Sequence, residues 1–265
     1  MINRERTPVL FIGHGSPMNA IADNTYTHTL TRLHTLCPAP RAIVCISAHW
    51  MTDGARVTHM EKPRTIHDFY GFPDQLFAIQ YPAPGSPEVA ELICSVVTEE
   101  RVTTDDRSWG LDHGSWSVLR HIYPAAEVPV VQLSMDISKP AEHHFRIGQQ
   151  LAQLREEGVF IIGSGNIVHN LGRIDRNPNA NPYAWAVEFD SWIKDRLMQK
   201  DFMSIVNDYA NTEAGKLSVP TPEHYLPFLY VLGAGGENEP LRFEYEAMQN
   251  AAISMRTFSI GATGQ

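Results

Sequence analysis

Three histidines follow short apolar runs that are typical of buried strands. The pairs of run and histidine are Val9–Ile12 with His14, Ala42–Ser47 with His49, and Val159–Ile162 with His169. Parallel strands end at one edge of a sheet, so we expect the three imidazoles to lie close together there. Neutral imidazole is a common metal ligand. The spacing therefore predicts a metal site at this edge.

A fourth histidine, His224, follows Thr221-Pro222-Glu223, a sequence that predicts the start of a helix capped by Thr221. Amides at a helix N-terminus disfavour imidazolium, so we expect His224 to be neutral and able to bind a metal. The predicted ligand set is nitrogen-rich and has no nearby thiolate. Such a set favours zinc, iron or copper over calcium or magnesium.

A fifth histidine, His113, lies in a segment rich in Gly, Asp and Trp that precedes a predicted helix from Trp116 to Ile122. An imidazole that does not bind the metal could serve as a general acid or base. Packing against a tryptophan is the alternative. Asp112 could orient a ring, although adjacent side chains rarely face each other. A second segment, 66–73, is rich in aromatic residues and predicts either an apolar pocket wall or a packed surface loop.

The pattern of elements that must position these residues predicts an α/β fold. Buried strands alternate with helices, which favours one domain over residues 1–265, with a mostly parallel or mixed sheet covered by helices on both faces. The further strands predicted are Val128–Leu133, Leu241–Tyr245 and Ile253–Ile260. The predicted helices span Asn24–Leu36, residues from Ser86 to Val96, Ala141–Glu157, Tyr183–Met198 and Thr221 to Gly233.

Composition excludes several classes of protein. Thirty acidic and 21 basic side chains give a net charge of −9, which disfavours nucleic acid and an anionic membrane as partners. The three cysteines form no CxxC, and no run is apolar and long enough for a signal peptide or a membrane span. We therefore expect a cytoplasmic protein. The sequence also allows a homo-oligomer, in which the exposed face of the helix Tyr183–Met198 is a candidate contact surface.

Six ordered motifs resemble the class III extradiol ring-cleavage dioxygenases, and within them the DOPA 4,5-dioxygenase branch. The resemblance runs from about Val9 to Ile260. The motifs are Gly-His-Gly-Ser-Pro at 13–17, Ser-Ala-His-Trp at 47–50, Ile-His-Asp-Phe-Tyr-Gly-Phe-Pro at 66–73, Asp-His-Gly-Ser-Trp at 112–116, Gly-Asn-Ile-Val-His-Asn-Leu at 165–171 and Thr-Pro-Glu-His-Tyr-Leu-Pro at 221–227.

This resemblance implies a non-haem divalent metal, zinc or iron, and a reaction that opens a catechol ring such as that of L-DOPA with dioxygen. It implies that His14, His49 and His224 are metal ligands. His169 falls on a position that is either a fourth ligand or the acid/base histidine, and His113 on a position near the substrate. Four aromatic residues are candidates to hold the catechol ring: Phe69, Tyr70, Phe72 and Trp116.

One departure from the resemblance leaves other functions open. Many class III enzymes complete their ligand set with a carboxylate, whereas here the late motif supplies His224. A site of histidines alone also suits redox-inert zinc. A zinc-dependent hydrolase and a non-catalytic metal-binding protein on the same fold are therefore the alternatives.

Overall fold

The computed structural model describes residues 6–262, which form an α/β fold around a mixed sheet. The strands are β1 Val9–Gly13, β2 Ala42–Met51, β3 Arg56–Thr58, β4 Thr103–Asp105, β5 Val130–Met135, β6 Val159–Gly165, β7 Leu241–Tyr245, β8 Met248–Gln249, β9 Ile253–Ser254 and β10 Thr257–Ile260. The helices are α1 Thr25–Arg32, α2 Asp74–Phe77, α3 Pro87–Val96, α4 His113–Ile122, α5 Ala141–Leu151, α6 Ala184–Gln199, α7 Phe202–Asp208, α8 Glu213–Ser218 and α9 Leu226–Gly235.

The main sheet has eight strands in the order β4-β3-β5-β2-β6-β1-β10-β7. Its centre, β5-β2-β6-β1, is parallel, while β10 and β7 add antiparallel strands at one side. The four central strands therefore end at the same edge. β8 and β9 form a separate two-stranded hairpin.

Alternate residues of the central strands point into two cores, one on each face of the sheet. Phe11 and Val44 face a core shared with α3, α5, α6, α7 and α9. Leu10 and Ile43 face a second core shared with α1 and α4. The prediction of a mixed sheet covered on both faces is confirmed.

Several predicted element boundaries are confirmed. Ser86 caps α3 by accepting a hydrogen bond from the backbone N–H of Val89, and Gly158 ends the α5 region in the left-handed conformation. α6 buries Phe189 and Ile193 and exposes Val187, so one face of this helix belongs to the core.

Some predicted boundaries are wrong. The helix predicted from Trp116 starts at His113, so this histidine lies in the helix and not before it. Ile253–Ile260 is not one strand, because β9 pairs with β8 and β10 joins the main sheet, with Met255 and Arg256 between the two strands. The helix predicted to start at Thr221 instead starts at Leu226, with Pro227 as its first-turn proline. The Thr221 hydroxyl donates to the Glu223 carboxylate, and it makes no cap.

No helix within residues 6–262 is long and apolar enough to cross a bilayer.

Candidate metal centre

The edge where the parallel strands end carries the predicted histidines. His14 follows the last residue of β1, His49 lies near the end of β2, and His169 lies four residues after the end of β6. The fourth residue, His224, reaches the same edge from the turn before α9. Its carbonyl accepts a hydrogen bond of 2.8 Å from the backbone N–H of Asn166.

A glycine at the end of β6 makes this approach possible. A Cβ at Gly165 would lie 2.2 Å from the carbonyl oxygen of His224, closer than any side chain tolerates. The absence of a side chain there lets the β6 terminus and the His224 turn touch through their backbones. In the sequence, Gly165 therefore indicates this site as much as His224 does.

Three of the histidines form one compact group. Each of His14, His49 and His224 offers a ring nitrogen, and these nitrogens lie within 4.8 Å of one another. The Nε2 atoms of His14 and His49 are 3.2 Å apart. All three rings are largely buried, with His14 at 2% and His224 at 7% exposure.

Hydrogen bonds fix which nitrogen of His14 carries its proton. The Ser164 hydroxyl donates its one proton to the carbonyl of Gly114, so its oxygen accepts from Nδ1 of His14 at 3.0 Å. Nε2 of His14 then carries a free lone pair, which faces His49. His224 is held in the same way, because its Nδ1 donates to the Glu223 carboxylate at 3.3 Å.

Burial keeps the group neutral. Desolvation, followed by the proximity of the other histidines, lowers the pKa of His14 and of His224 well below 6.5. Desolvation and His113 lower the pKa of His49 to about 3. Neutral imidazole is the form that binds a metal.

The donor set fits a divalent metal. Two nitrogens that bind one metal at about 2.1 Å and at about a right angle lie about 3 Å apart. The 3.2 Å between the Nε2 atoms of His14 and His49 matches this separation. A cation between the two nitrogens would accept the lone pair on Nε2 of His14 and, in the tautomer with hydrogen on Nδ1, the lone pair on Nε2 of His49. Imidazole donors suit zinc and iron alike.

His169 lies beside this group and outside it. Its ring stacks on that of His224, with ring centres 3.5 Å apart and planes 11° apart. A nitrogen of His169 lies within 4.8 Å of ligand atoms of Glu223 and His224, which form a second candidate group. Burial lowers the pKa of His169 to about 4, although Glu223 acts in the opposite direction. His169 is thus neutral and close to the centre.

His113 starts α4 and lies against His49, with ring centres 4.0 Å apart. Its Nδ1 donates to Oδ2 of Asp68 at 2.9 Å, and its backbone N–H donates to Oδ1 of the same carboxylate at 2.8 Å. Asp68 was not predicted as a site residue. Its position within the aromatic segment 66–73 was the available signal, but the sequence does not show which ring it meets.

Asp112 does not orient the His113 ring. It caps α4 by accepting from the backbone N–H of Ser115, and it also accepts from Ser47 and Gln132. Burial, followed by the charge of Asp68, raises the pKa of Asp112 to about 6. This carboxylate fixes the helix that carries His113, and the orienting group for the ring is Asp68.

The aromatic candidates occupy different environments. The Phe69 ring meets the edge of His113 at 5.5 Å between centres, and it also packs on Phe72 at 5.4 Å. Trp116 is fully buried, and its indole N–H donates to the carbonyl of Ile66. Tyr70 is 92% exposed. Of the four candidates, Phe69 is thus the one whose ring contacts His113, Trp116 lies behind it in the core, and Tyr70 lies at the surface.

Comparison with known proteins identifies the family. The family described as the catalytic LigB subunit of aromatic ring-opening dioxygenase matches residues 8–262. A relative in Escherichia coli K12, named 4,5-DOPA dioxygenase extradiol, is 47% identical over 98% of this chain and 97% of its own length. One in Beta vulgaris with the same name is 36% identical over 96% of each chain.

A solved structure agrees with this family and with the fold. The crystal structure of the uncharacterized protein JW3007 from Escherichia coli K12 is 44% identical and has a TM-score of 0.84, over 97% of this chain and 100% of its own. The resemblance seen in the motifs and the predicted extradiol dioxygenase activity are confirmed at the level of the family. The chain belongs to the LigB family of aromatic ring-opening dioxygenases.

Proposed function

We propose that this protein opens the ring of a catechol beside its two hydroxyls, with L-DOPA cleaved at the 4,5 position, and inserts both atoms of dioxygen. The observation that carries the proposal is the buried group of three neutral imidazoles, flanked by His113 and His169, within a LigB-family chain. Relatives named 4,5-DOPA dioxygenase extradiol support the choice of substrate.

His14, His49 and His224 would hold one divalent metal, Fe(II) for turnover and Zn(II) as an inactive substitute. When bound, a redox-active metal supplies the path for electron density between catechol and dioxygen, whereas zinc has no such path. The three imidazoles are neutral, so the metal keeps its full positive charge. That charge favours a catechol that has lost a proton.

The neighbouring histidines move the protons. A catechol must lose a proton on binding, and His169 and His113 are the neutral or carboxylate-supported imidazoles close to the metal group. His169 acts as acid/base in this proposal, with a fourth-ligand role as the alternative. Both flank the same centre, so one can take up a proton while the other donates.

The aromatic segment binds the ring. Phe69 presents its ring beside His113, and we assign it the edge or stacking contact with the catechol. Phe72 supports it from the same segment. Trp116 contributes by packing behind Phe69, with ring centres 6.2 Å apart, and Tyr70 covers the outer rim.

Residues 1–265 act as one catalytic domain in this proposal, in line with a family match that spans residues 8–262. We assign the protein to the cytoplasm, since its three cysteines, Cys37, Cys45 and Cys94, are all free.

The test is anaerobic reconstitution of metal-free protein with Fe(II) or Zn(II), followed by L-DOPA and then air. We expect a yellow ring-opened product and oxygen uptake with iron alone. Failure of the iron protein with L-DOPA and several other catechols would overturn the proposal. Hydrolysis with zinc in the absence of oxygen would instead support a zinc hydrolase. A bound metal with no catechol affinity would support a non-catalytic protein.

A further inference from the structure

One carboxylate at the centre faces two histidines at once. Oδ2 of Asp68 accepts from Nδ1 of His113 at 2.9 Å and lies 3.3 Å from Nδ1 of His49. Oδ1 accepts the backbone N–H of His113 at 2.8 Å. The side chain of Asp68 is 15% exposed, so water competes little for these contacts.

The charge of Asp68 is directed at these imidazoles. Within residues 6–262, its ion pairs are with His49 and His113, and no lysine or arginine joins them. Oδ1 and Oδ2 each face an N–H group of His113, so both oxygens of Asp68 act as hydrogen-bond acceptors.

We propose that Asp68 is a positioning residue that holds the proton of both His49 and His113 on Nδ1, so that both Nε2 lone pairs face the catechol and metal side. An acceptor at Nδ1 favours the tautomer with hydrogen there and leaves Nε2 unprotonated. For His49, this makes Nε2 a metal donor. For His113, it makes Nε2 a proton acceptor for a substrate hydroxyl, a role that rests on the proposed function.

The position of Asp68 in the chain adds a second consequence. Phe69 is the next residue and contacts the His113 ring. The carboxylate thus ties the aromatic segment to α4 and to β2 at one point. The same group sets the tautomers of two histidines and the distance between the aromatic wall and the metal group.

Asp68→Asn tests the proposal because an amide cannot replace the carboxylate here. If its oxygen keeps the backbone N–H of His113, its NH2 group faces both Nδ1 atoms as a donor. Both rings are then favoured to carry hydrogen on Nε2, and His49 loses the Nε2 lone pair with which it would bind the metal. Asp74→Asn is the matched control, since Asp74 carries the same charge in the same part of the chain and is exposed.

The first readout needs no metal and no substrate. Long-range proton–nitrogen NMR of the metal-free protein with labelled histidines reports which ring nitrogen carries the proton. We expect Nδ1–H for His49 and His113 in the wild type and in Asp74→Asn, and Nε2–H for both in Asp68→Asn. Nε2–H for either ring in the wild-type protein would overturn the proposal, and this result does not depend on whether any variant folds.

The second readout is metal affinity, measured by competition with a chelator for Co(II) or Zn(II). Loss of a partner behind a ligating histidine typically costs 10–100-fold in affinity, and we expect a loss of about this size for Asp68→Asn with no change for Asp74→Asn. Equal metal affinity in both variants, with matching circular dichroism, would overturn the proposal that Asp68 positions His49 for metal binding. Since neither readout uses a catechol, failure of the proposed dioxygenase reaction would be seen separately.

Discussion

His113 and His169 flank the three-nitrogen group of His14, His49 and His224 without belonging to it. If both act as acid/base groups, replacing either one leaves the metal donors in place. We therefore predict that His113→Ala and His169→Ala retain about one metal per chain after dialysis but lose turnover by about 10²-fold or more. Metal content by mass spectrometry and oxygen uptake with the iron-loaded protein are the measurements.

The two variants also decide the role that spacing leaves open. Loss of metal from His169→Ala, with His113→Ala still loaded, would make His169 a fourth ligand. Retained turnover in either variant would remove that histidine from the proton-transfer step.

At the scale of single residues, the sequence predicted which histidines lie close together better than it predicted the residues that support them. His14 and His49 could be predicted because strand ends in a parallel sheet share an edge. Asp68 could not, because its partner His113 lies 45 residues away and is reached through an irregular loop. Residue type alone does not predict that Trp116 is buried and Tyr70 exposed, since this depends on how α4 and the loop pack together.

At the scale of elements, the approach of α4 to β2 depends on a glycine. A Cβ at Gly114 would lie 2.4 Å from the Ser47 hydroxyl and 3.0 Å from Cδ2 of His49. Ser47 is fixed in β2 by its bond to Asp112, so it cannot easily move away. Overlap of this kind typically costs about 1–3 kcal/mol, and at a contact as short as 2.4 Å we expect a cost above the gain of about 1 kcal/mol for alanine over glycine in a helix.

We therefore predict that Gly114→Ala lowers the free energy of unfolding by up to about 2 kcal/mol and weakens metal binding. Urea unfolding and chelator competition measure the two effects. Gly172→Ala is the control, because its added Cβ makes an ordinary contact of 3.4 Å with Asn170. A Gly114→Ala protein as stable as the control, with unchanged affinity, would show that α4 can shift away from β2.

The elements themselves were predictable to the extent that local signals decide them. Ser86 with Pro87 gave a correct helix start, as cap and first-turn proline act within a few residues. The Thr221-Pro222 start was wrong because a second proline, Pro227, competes for the same role. Contact between the His224 backbone and β6 settles that choice, and it is not encoded locally.

For the whole molecule, buried histidine makes stability depend on pH. His144 is fully buried between α5 and α9, where it hydrogen-bonds the Tyr230 hydroxyl, and its Nε2 has no partner among residues 6–262. Burial, followed by the charge of His143, lowers the pKa of His144 to about 4. Between about pH 6.5 and pH 4, the unfolded chain takes up a proton that the folded chain refuses, so stability falls as the pH falls.

We predict that this histidine alone removes about 2 kcal/mol from the free energy of unfolding between pH 7.5 and pH 5. In His144→Gln, the amide can still bond Tyr230 but does not titrate, so the loss on acidification is smaller by that amount. Urea unfolding of metal-free protein at the two pH values measures it, with the exposed His34→Gln as control. The same loss in both variants would contradict the assignment.

The convergence of the metal group at one sheet edge has a consequence for folding order. Its members lie at positions 14, 49 and 224, so no local segment of the chain brings even the first two within reach. Closing such long loops is slow and requires β1, β2, β6 and the turn before α9 to be in register first. A partly folded chain therefore has no high-affinity place for the cation. In the proposed centre, metal binding would therefore follow assembly of the sheet, and the bound ion would then stabilise the folded chain against opening.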